Sequence, residues 1–278
     1  MSKRLTKKEL AKERFAANIG AFCCPLCGGE FVTTDTGVRC RRNHNFDLAR
    51  QGYLSLFTGR QTSHYDQTLF LARREVFSAG VYAPLIDEIS SLINALGIHE
   101  PLVLDAGCGE GSFLAGICSR VQPGGMIGVD ISRAGIRLAT SHSESIMWCV
   151  ADLAELPFGS ESVDVILNVL SPANYGEFKR VLKPGGVIIK VLPREGYLRE
   201  IRQRLEGVAP YSNEDVLAKF EENLQVVQST NLKYQVNVNS LLWQSMTKMT
   251  PLSRRHQISG PHPKQITIDL EIIQGSRA

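Results

Sequence analysis

Leu104-Asp105-Ala106-Gly107-Cys108-Gly109-Glu110-Gly111 follows the first strand-like apolar run of the chain and opens a helical stretch. Glycines at alternate positions let the backbone turn sharply and approach a ligand closely. Downstream, apolar runs alternate with amphipathic ones. The pattern predicts strands over 102–105, 126–131, 147–150, 163–170 and 187–192, with helices over 132–142 and 175–182. Lys183-Pro184-Gly185-Gly186 reads as a turn before the fifth strand. Helices over 195–205, 213–223 and 240–248 follow, with strands over 225–237 and 265–273 paired at one edge. The reading is an α/β fold of βαβ units on a seven-stranded, mainly parallel sheet.

Ligands of such sheets sit beyond the carboxyl ends of the strands. Asp130 ends the second strand, where an acid can accept two ribose hydroxyls; Asp152 follows the third, placed to face an adenine amino group. A dinucleotide fingerprint needs glycine at position 112, which is Ser112. The actual spacing, Gly107-x-Gly109-x-Gly111 preceded by Asp105, resembles motif I of class I methyltransferases. S-adenosylmethionine carries no phosphate, so an acid such as Glu110 is tolerable at the helix start, where a pyrophosphate would need the N-terminal dipole to itself.

Upstream, Cys24-x2-Cys27 and Cys40-x3-His44 offer three thiols and an imidazole in two close pairs. Two such pairs wrap a tetrahedral ion and leave no open position, which predicts a structural zinc. Cys23 is an alternative to Cys24, or a free thiol. His64 and His99 have no such context. Arg39, Arg41, Arg42 and Arg50 surround the cluster, with Phe46 and Tyr53 between them. Basic residues interleaved with aromatics suit RNA; Phe31 and Phe46 read as core under the zinc.

The bulk numbers narrow the classes. The 278 residues are 43% hydrophobic and 21% charged, ordinary for a folded domain. A net charge of +3 gives no global argument for nucleic acid, so that argument has to be local. No apolar run reaches membrane length. The first nineteen residues lack a signal-peptide pattern, and Glu9 and Glu13 among the lysines fit a short amphipathic helix. Seven cysteines, four of them within eighteen residues, argue for a metal in a reducing compartment over a disulfide framework, hence the cytoplasm.

Longer stretches carry a fuller resemblance. Cys-Pro-Leu-Cys at 24–27, Cys-Arg-Arg-Asn-His-Asn-Phe-Asp-Leu-Ala at 40–49, Gly-Tyr-Leu-Ser-Leu at 52–56 and Ala-Arg-Arg at 72–74 are part of it. So are Ala-Gly-Val-Tyr-Ala-Pro-Leu at 79–85, the glycine loop, Ser-Pro-Ala-Asn-Tyr-Gly-Glu-Phe at 171–178 and Met-Thr-Pro-Leu at 249–252. Together they resemble the RlmA-type 23S rRNA guanine-N1 methyltransferases, in their type II, Gram-positive branch. The texture of the chain divides it into a charged leader over 1–20, a zinc-binding RNA-recognition module over 21–60 and a class I methyltransferase domain over 61–278. The resemblance implies S-adenosylmethionine as cofactor and 23S ribosomal RNA as partner, with a homodimer left open and no membrane. The target implied is a hairpin guanine near the macrolide-binding exit tunnel, of the guanine-748 type in preference to the neighbouring guanine-745 type, which raises macrolide resistance as a consequence. Tyr82, Gly109 and Glu110 are implied at the cofactor, and Tyr197 stands where the family carries a histidine.

Asn168, Asn174 and Tyr175, at the end of the fourth strand, are candidates to hold or stack on the target base. No carboxylate occurs in that stretch, so no general base is assigned. Two other readings stay open: methylation of a small metabolite with the zinc as a fold staple, and an RNA-binding protein with an inert methyltransferase domain.

Overall fold

The structure, a computed structural model, describes residues 5–59, 67–205, 212–250, 258 and 260–277. His64 and the Pro251-Leu252 half of Met-Thr-Pro-Leu lie outside them. The chain begins with α1 (Lys7–Ala17), a 3-10 turn (Ile19–Ala21), β1 (Phe31–Thr33), β2 (Gly37–Cys40), β3 (Asn45–Asp47) and β4 (Tyr53–Ser55). It continues with α2 (Gln67–Ser78), α3 (Ala83–Ala95), β5 (Leu102–Ala106), α4 (Ser112–Cys118), β6 (Gly125–Asp130), α5 (Arg133–Ala139) and β7 (Ile146–Val150). Then come β8 (Val163–Val169), α6 (Tyr175–Val181), β9 (Leu182–Pro193), α7 (Arg199–Arg202), α8 (Glu214–Asn223), β10 (Gln225–Asn237), α9 (Ser240–Met249) and β11 (Gln265–Ser276).

The large sheet runs β10-β11-β9-β8-β5-β6-β7-β4, and β1, β2 and β3 form a small antiparallel sheet. Every residue of β5 and β7 is buried, as expected for parallel strands covered on both faces. β11 is antiparallel to both β9 and β10. The direction of winding reverses beside β5, because β6 lies on one side of it and β8 on the other. The crevice at this switch point, beyond the ends of β5 and β8, is where open α/β sheets take ligands.

Three features differ from the sequence reading. The sheet has eight strands among the described residues, not seven, because Tyr53–Ser55 of the zinc-bearing segment pairs in parallel with Trp148–Val150 of β7. The helix expected over 195–205 shrinks to Arg199–Arg202. Asp269 is the cause: it accepts from the Gly196 N–H at 3.2 Å and pairs with Arg194, while Leu198 turns at φ +52°. The Lys183–Gly186 turn interrupts β9, with pairing at Val163–Leu182 and again at Val165–Val187. Lys183 closes that bulge onto Asp164 at 2.9 Å.

The sheet has one apolar core on each face. One gathers α2, α3, α4, α5 and α9. The other joins Phe15 of α1, Phe22, Phe31, Val38 and Leu48 to Met147, Cys149, Phe158 and Phe178. The charged leader is therefore a packed helix, held at its start by a Thr6–Glu9 capping box. The zinc-bearing segment has no core of its own apart from the sheet. No single helix among the described residues is long and apolar enough to cross a membrane.

Candidate active site and metal centre

The glycine loop leaves β5 and becomes the cap of α4. Gly107, Gly109 and Gly111 have φ of +94°, +58° and +82°, which side-chain-bearing residues rarely adopt. Space excludes a side chain at two of them. A Cβ on Gly107 would lie 2.0 Å from Ser171 Oγ, and one on Gly111 would lie 2.6 Å from the Trp148 ring. The loop is a cradle whose inner surface is backbone. Asp130 closes it: Oδ2 accepts from the Gly109 N–H at 2.9 Å and Oδ1 from the Ser132 N–H at 2.7 Å. Each oxygen retains acceptor capacity for a ribose hydroxyl. Burial holds Asp130 above the ordinary carboxylate range, against the pull of those two donors.

Asp105 lies 2% exposed beneath the cradle. Burial first, and then the negative charge of Asp130, push its carboxyl up to about 8. Asp152 is half-buried after β7 and accepts from the Ala154 N–H at 2.9 Å, which folds the next turn. Tyr82 and Tyr197 meet hydroxyl to hydroxyl at 2.7 Å. Arg73 brings its guanidinium to 3.5 Å from where a Gly109 Cβ would stand. A backbone cradle, an acid at the second strand end and a tyrosine pair suit S-adenosylmethionine.

Glu110 has protein partners that its sequence position does not reveal. Its carboxylate is 3% exposed and engaged by Arg74 at 3.3 Å, His142 at 3.0 Å and Ser112 Oγ at 2.9 Å. It ties the loop to α2 and to the turn after α5. Arg74 and His142 were not readable as its partners, since they lie 36 and 32 residues away in sequence.

The loop after β8 gives its three candidates structural partners. Asn168 is fully buried, donating to Ala106 O at 2.9 Å and Pro172 O at 3.0 Å and accepting from Lys190 at 2.5 Å. Asn174 caps α6, with Oδ1 accepting from the Glu177 N–H at 3.2 Å and Nδ2 donating to Ala154 O at 3.2 Å. Tyr175 packs edge-on against Phe178 and Phe220, and among the described residues its buried hydroxyl has no hydrogen-bond partner. All three shape the loop through these contacts.

The metal ligands converge as the spacing predicted. The Cys24, Cys27 and Cys40 thiols and the His44 Nδ1 all lie within 4.8 Å of one another. Cys24–His44 is 3.4 Å, Cys40–His44 3.5 Å and Cys27–Cys40 3.6 Å. Zinc bonds of about 2.3 Å to sulfur and 2.0 Å to nitrogen put tetrahedral ligand atoms about 3.4–3.8 Å apart, so the donor set fits. Each pair sits on a turn with a left-handed residue, Gly28 at φ +66° and Asn43 at φ +64°. Cys23 stands outside this group, its N–H donating to Pro157 O at 3.0 Å. Arg39, Arg41, Arg42 and Arg50 are exposed, and Arg41 pairs with Glu30 at 2.9 Å. Arg39 and Arg41 line an open groove of about 690 Å³ with Lys12, Thr34 and Asn43. Tyr53 is buried in β4 and cannot stack on a base, while Phe31 and Phe46 pack together under the ligands.

Residues 22–61 match a family profile described as RlmA, N-terminal, and residues 103–186 match one described as a methyltransferase domain. The YxjB protein of Bacillus subtilis, named with the 23S rRNA (guanine-N(1)-)-methyltransferases, is 36% identical over 92% of this chain and 97% of its own. The 23S rRNA (guanine(748)-N(1))-methyltransferase of Streptomyces fradiae is 32% identical over 64% of this chain and 65% of its own. A phthiotriol/phenolphthiotriol dimycocerosates methyltransferase of Mycobacterium tuberculosis is 33% identical, but over only 30% of this chain.

Proposed function

The chain belongs to the RlmA-type 23S rRNA (guanine-N1-)-methyltransferases, and from that membership we propose that it methylates N1 of a guanine-748-type hairpin nucleotide in 23S rRNA. One observation carries the reading: a Cys3His centre is packed into the core formed by β5 and β6, the two strands that end in the cofactor cradle. A small-molecule methyltransferase needs only the cradle. The inert-domain reading gives no use to an acid whose two oxygens, each taking one backbone donor, keep acceptor capacity at the mouth of the cradle.

S-adenosylmethionine supplies a methyl group already activated on its sulfonium, so the protein's task is chiefly to position. Gly107, Gly109 and Gly111 offer backbone, Asp130 takes the ribose hydroxyls, Asp152 faces the adenine, and Asp105, Tyr82 and Tyr197 line the methionyl side. The 171–175 loop borders the space for a base drawn out of its stack. It holds no carboxylate, so no residue is assigned to accept the N1 proton. Zinc would be held by Cys24, Cys27, Cys40 and His44 as a cross-link. We divide the labour between residues 21–60, which recognise RNA, and 61–278, which transfer methyl, in the cytoplasm.

Arg39, Arg41, Arg42 and Arg50 are assigned to phosphate contacts. Replacing Arg41 and Arg42 with alanine should flatten the salt dependence of RNA binding by about one slope unit each. Transfer of tritiated methyl to total RNA, protein-free ribosomal RNA and a metabolite extract, assayed in parallel, tests the whole reading. Label in the extract alone would contradict it.

A further inference from the structure

Lys190 lies in β9 opposite Asn168 of β8 and is 2% exposed. Among the described residues no carboxylate pairs with it. Its Nζ donates to two neutral oxygens, Asn168 Oδ1 at 2.5 Å and Ser171 O at 3.2 Å. Burial draws the ammonium down to about 8, so it is still mostly cationic at neutral pH. A buried charge without a counter-ion is costly. The strand neighbours Ile189 and Val191 show the apolar kind of residue this stretch otherwise buries.

The charge is placed at the junction of the two loops that matter for methyl transfer. Asn168, held by Lys190, reaches the end of β5 at Ala106 O and the far loop at Pro172 O. Leu170 turns there at φ +50°, in the left-handed region that favours glycine. Ser171, held at its carbonyl by Lys190, leans its side chain on Gly107 so closely that no Cβ fits between them. One ammonium thus joins the strand end, the acceptor-side loop and the first glycine of the cofactor cradle.

We propose that Lys190 is a positioning residue for methyl transfer, fixing the 171–173 loop against Gly107 through Asn168 and the Ser171 carbonyl. The inference rests on methyl transfer by this chain and not on which guanine receives the group. A displacement of about 1 Å between reacting partners can cost on the order of a hundred-fold in rate.

Lys190→Met keeps the chain length and removes the ammonium. It should lower kcat ten-fold or more, with KM for cofactor and acceptor within about three-fold and a melting midpoint unchanged or higher. Lys190→Gln, which keeps a neutral donor, should show the same split and serves if the methionine variant does not fold. The acceptor used is whichever of total RNA or metabolite extract the wild type labels, so a wrong acceptor appears in the wild-type arm and leaves the Lys190 comparison intact. Unchanged kcat would overturn the proposal. So would a loss confined to KM or to the melting midpoint, or two variants that both fail to fold, since each marks a merely structural lysine.

Discussion

The hydroxyls of Tyr82 and Tyr197 lie 2.7 Å apart, although 115 residues separate them in sequence. Tyr82 caps α3, and Tyr197 follows β9 in the turn that Asp269 pins. Burial, with the neighbouring hydroxyl, raises Tyr82 well above the ordinary phenol range, and burial also raises Tyr197. Both stay protonated at neutral pH, so one donates to the other and one hydrogen is left to give to a ligand. Tyr197→Phe should leave the Tyr82 hydroxyl short of a partner, at a cost of about 1–3 kcal/mol shared between folding and cofactor binding. Denaturation and calorimetry on Tyr82→Phe, Tyr197→Phe and the double variant measure the coupling. Strictly additive losses would show that the contact carries nothing.

Zinc removal should reach the whole chain. The ligands sit above a core that Phe22, Phe31 and Leu48 share with Met147 and Phe158, and β4 extends the large sheet. Cys27→Ser should lose the metal, counted as one ion per chain in the wild type, and lower the melting midpoint of the entire protein. A chelator should do the same to the wild type. Unchanged zinc content in Cys27→Ser would remove Cys27 from the centre; a second, separate melting transition would contradict the shared core.

Asp105 makes stability fall as pH rises. Its folded pKa of about 8 is above the usual carboxylate value, so the folded chain holds a proton that the unfolded chain gives up. The stability it contributes is full below the unfolded pKa of about 4 and is lost on approach to about 8, with a slope of up to about 1.4 kcal/mol per pH unit for one proton. Asp105→Asn should melt with a flatter dependence between pH 5 and 8 in the absence of ligand, each kcal/mol corresponding to roughly 2–4 °C. Parallel melting curves across that range would show that Asp105 ionises normally.

The sequence announced what depends on short-range pattern. Cys24, Cys27, Cys40 and His44 were legible because paired spacing is the chemistry of a tetrahedral ion. The glycine loop was legible because positive φ demands glycine. β10 was legible to its last residue, Gln225–Asn237, since a partly exposed strand alternates. What the sequence did not show depends on long-range contact. Asn168, Asn174 and Tyr175 have the right residue types for a base-binding loop, yet Lys190, Ala154 and Phe220 occupy them. Glu110 reads as cofactor-facing, and its partners Arg74 and His142 come from α2 and from the turn after α5. The strand Tyr53–Ser55 is three residues long, too short for a periodic signal, and only its pairing with β7 reveals it.

Primer extension on protein-free 23S rRNA treated with the purified protein and S-adenosylmethionine tests the central claim most directly. An N1-methyl group blocks the Watson–Crick edge of guanine and halts the polymerase. One new cofactor-dependent stop is expected, at a hairpin guanine of the guanine-748 type, absent when Asp130→Ala replaces the wild type at limiting cofactor. Methyl transfer to RNA without such a stop, or to a metabolite with ribosomal RNA untouched, would contradict it.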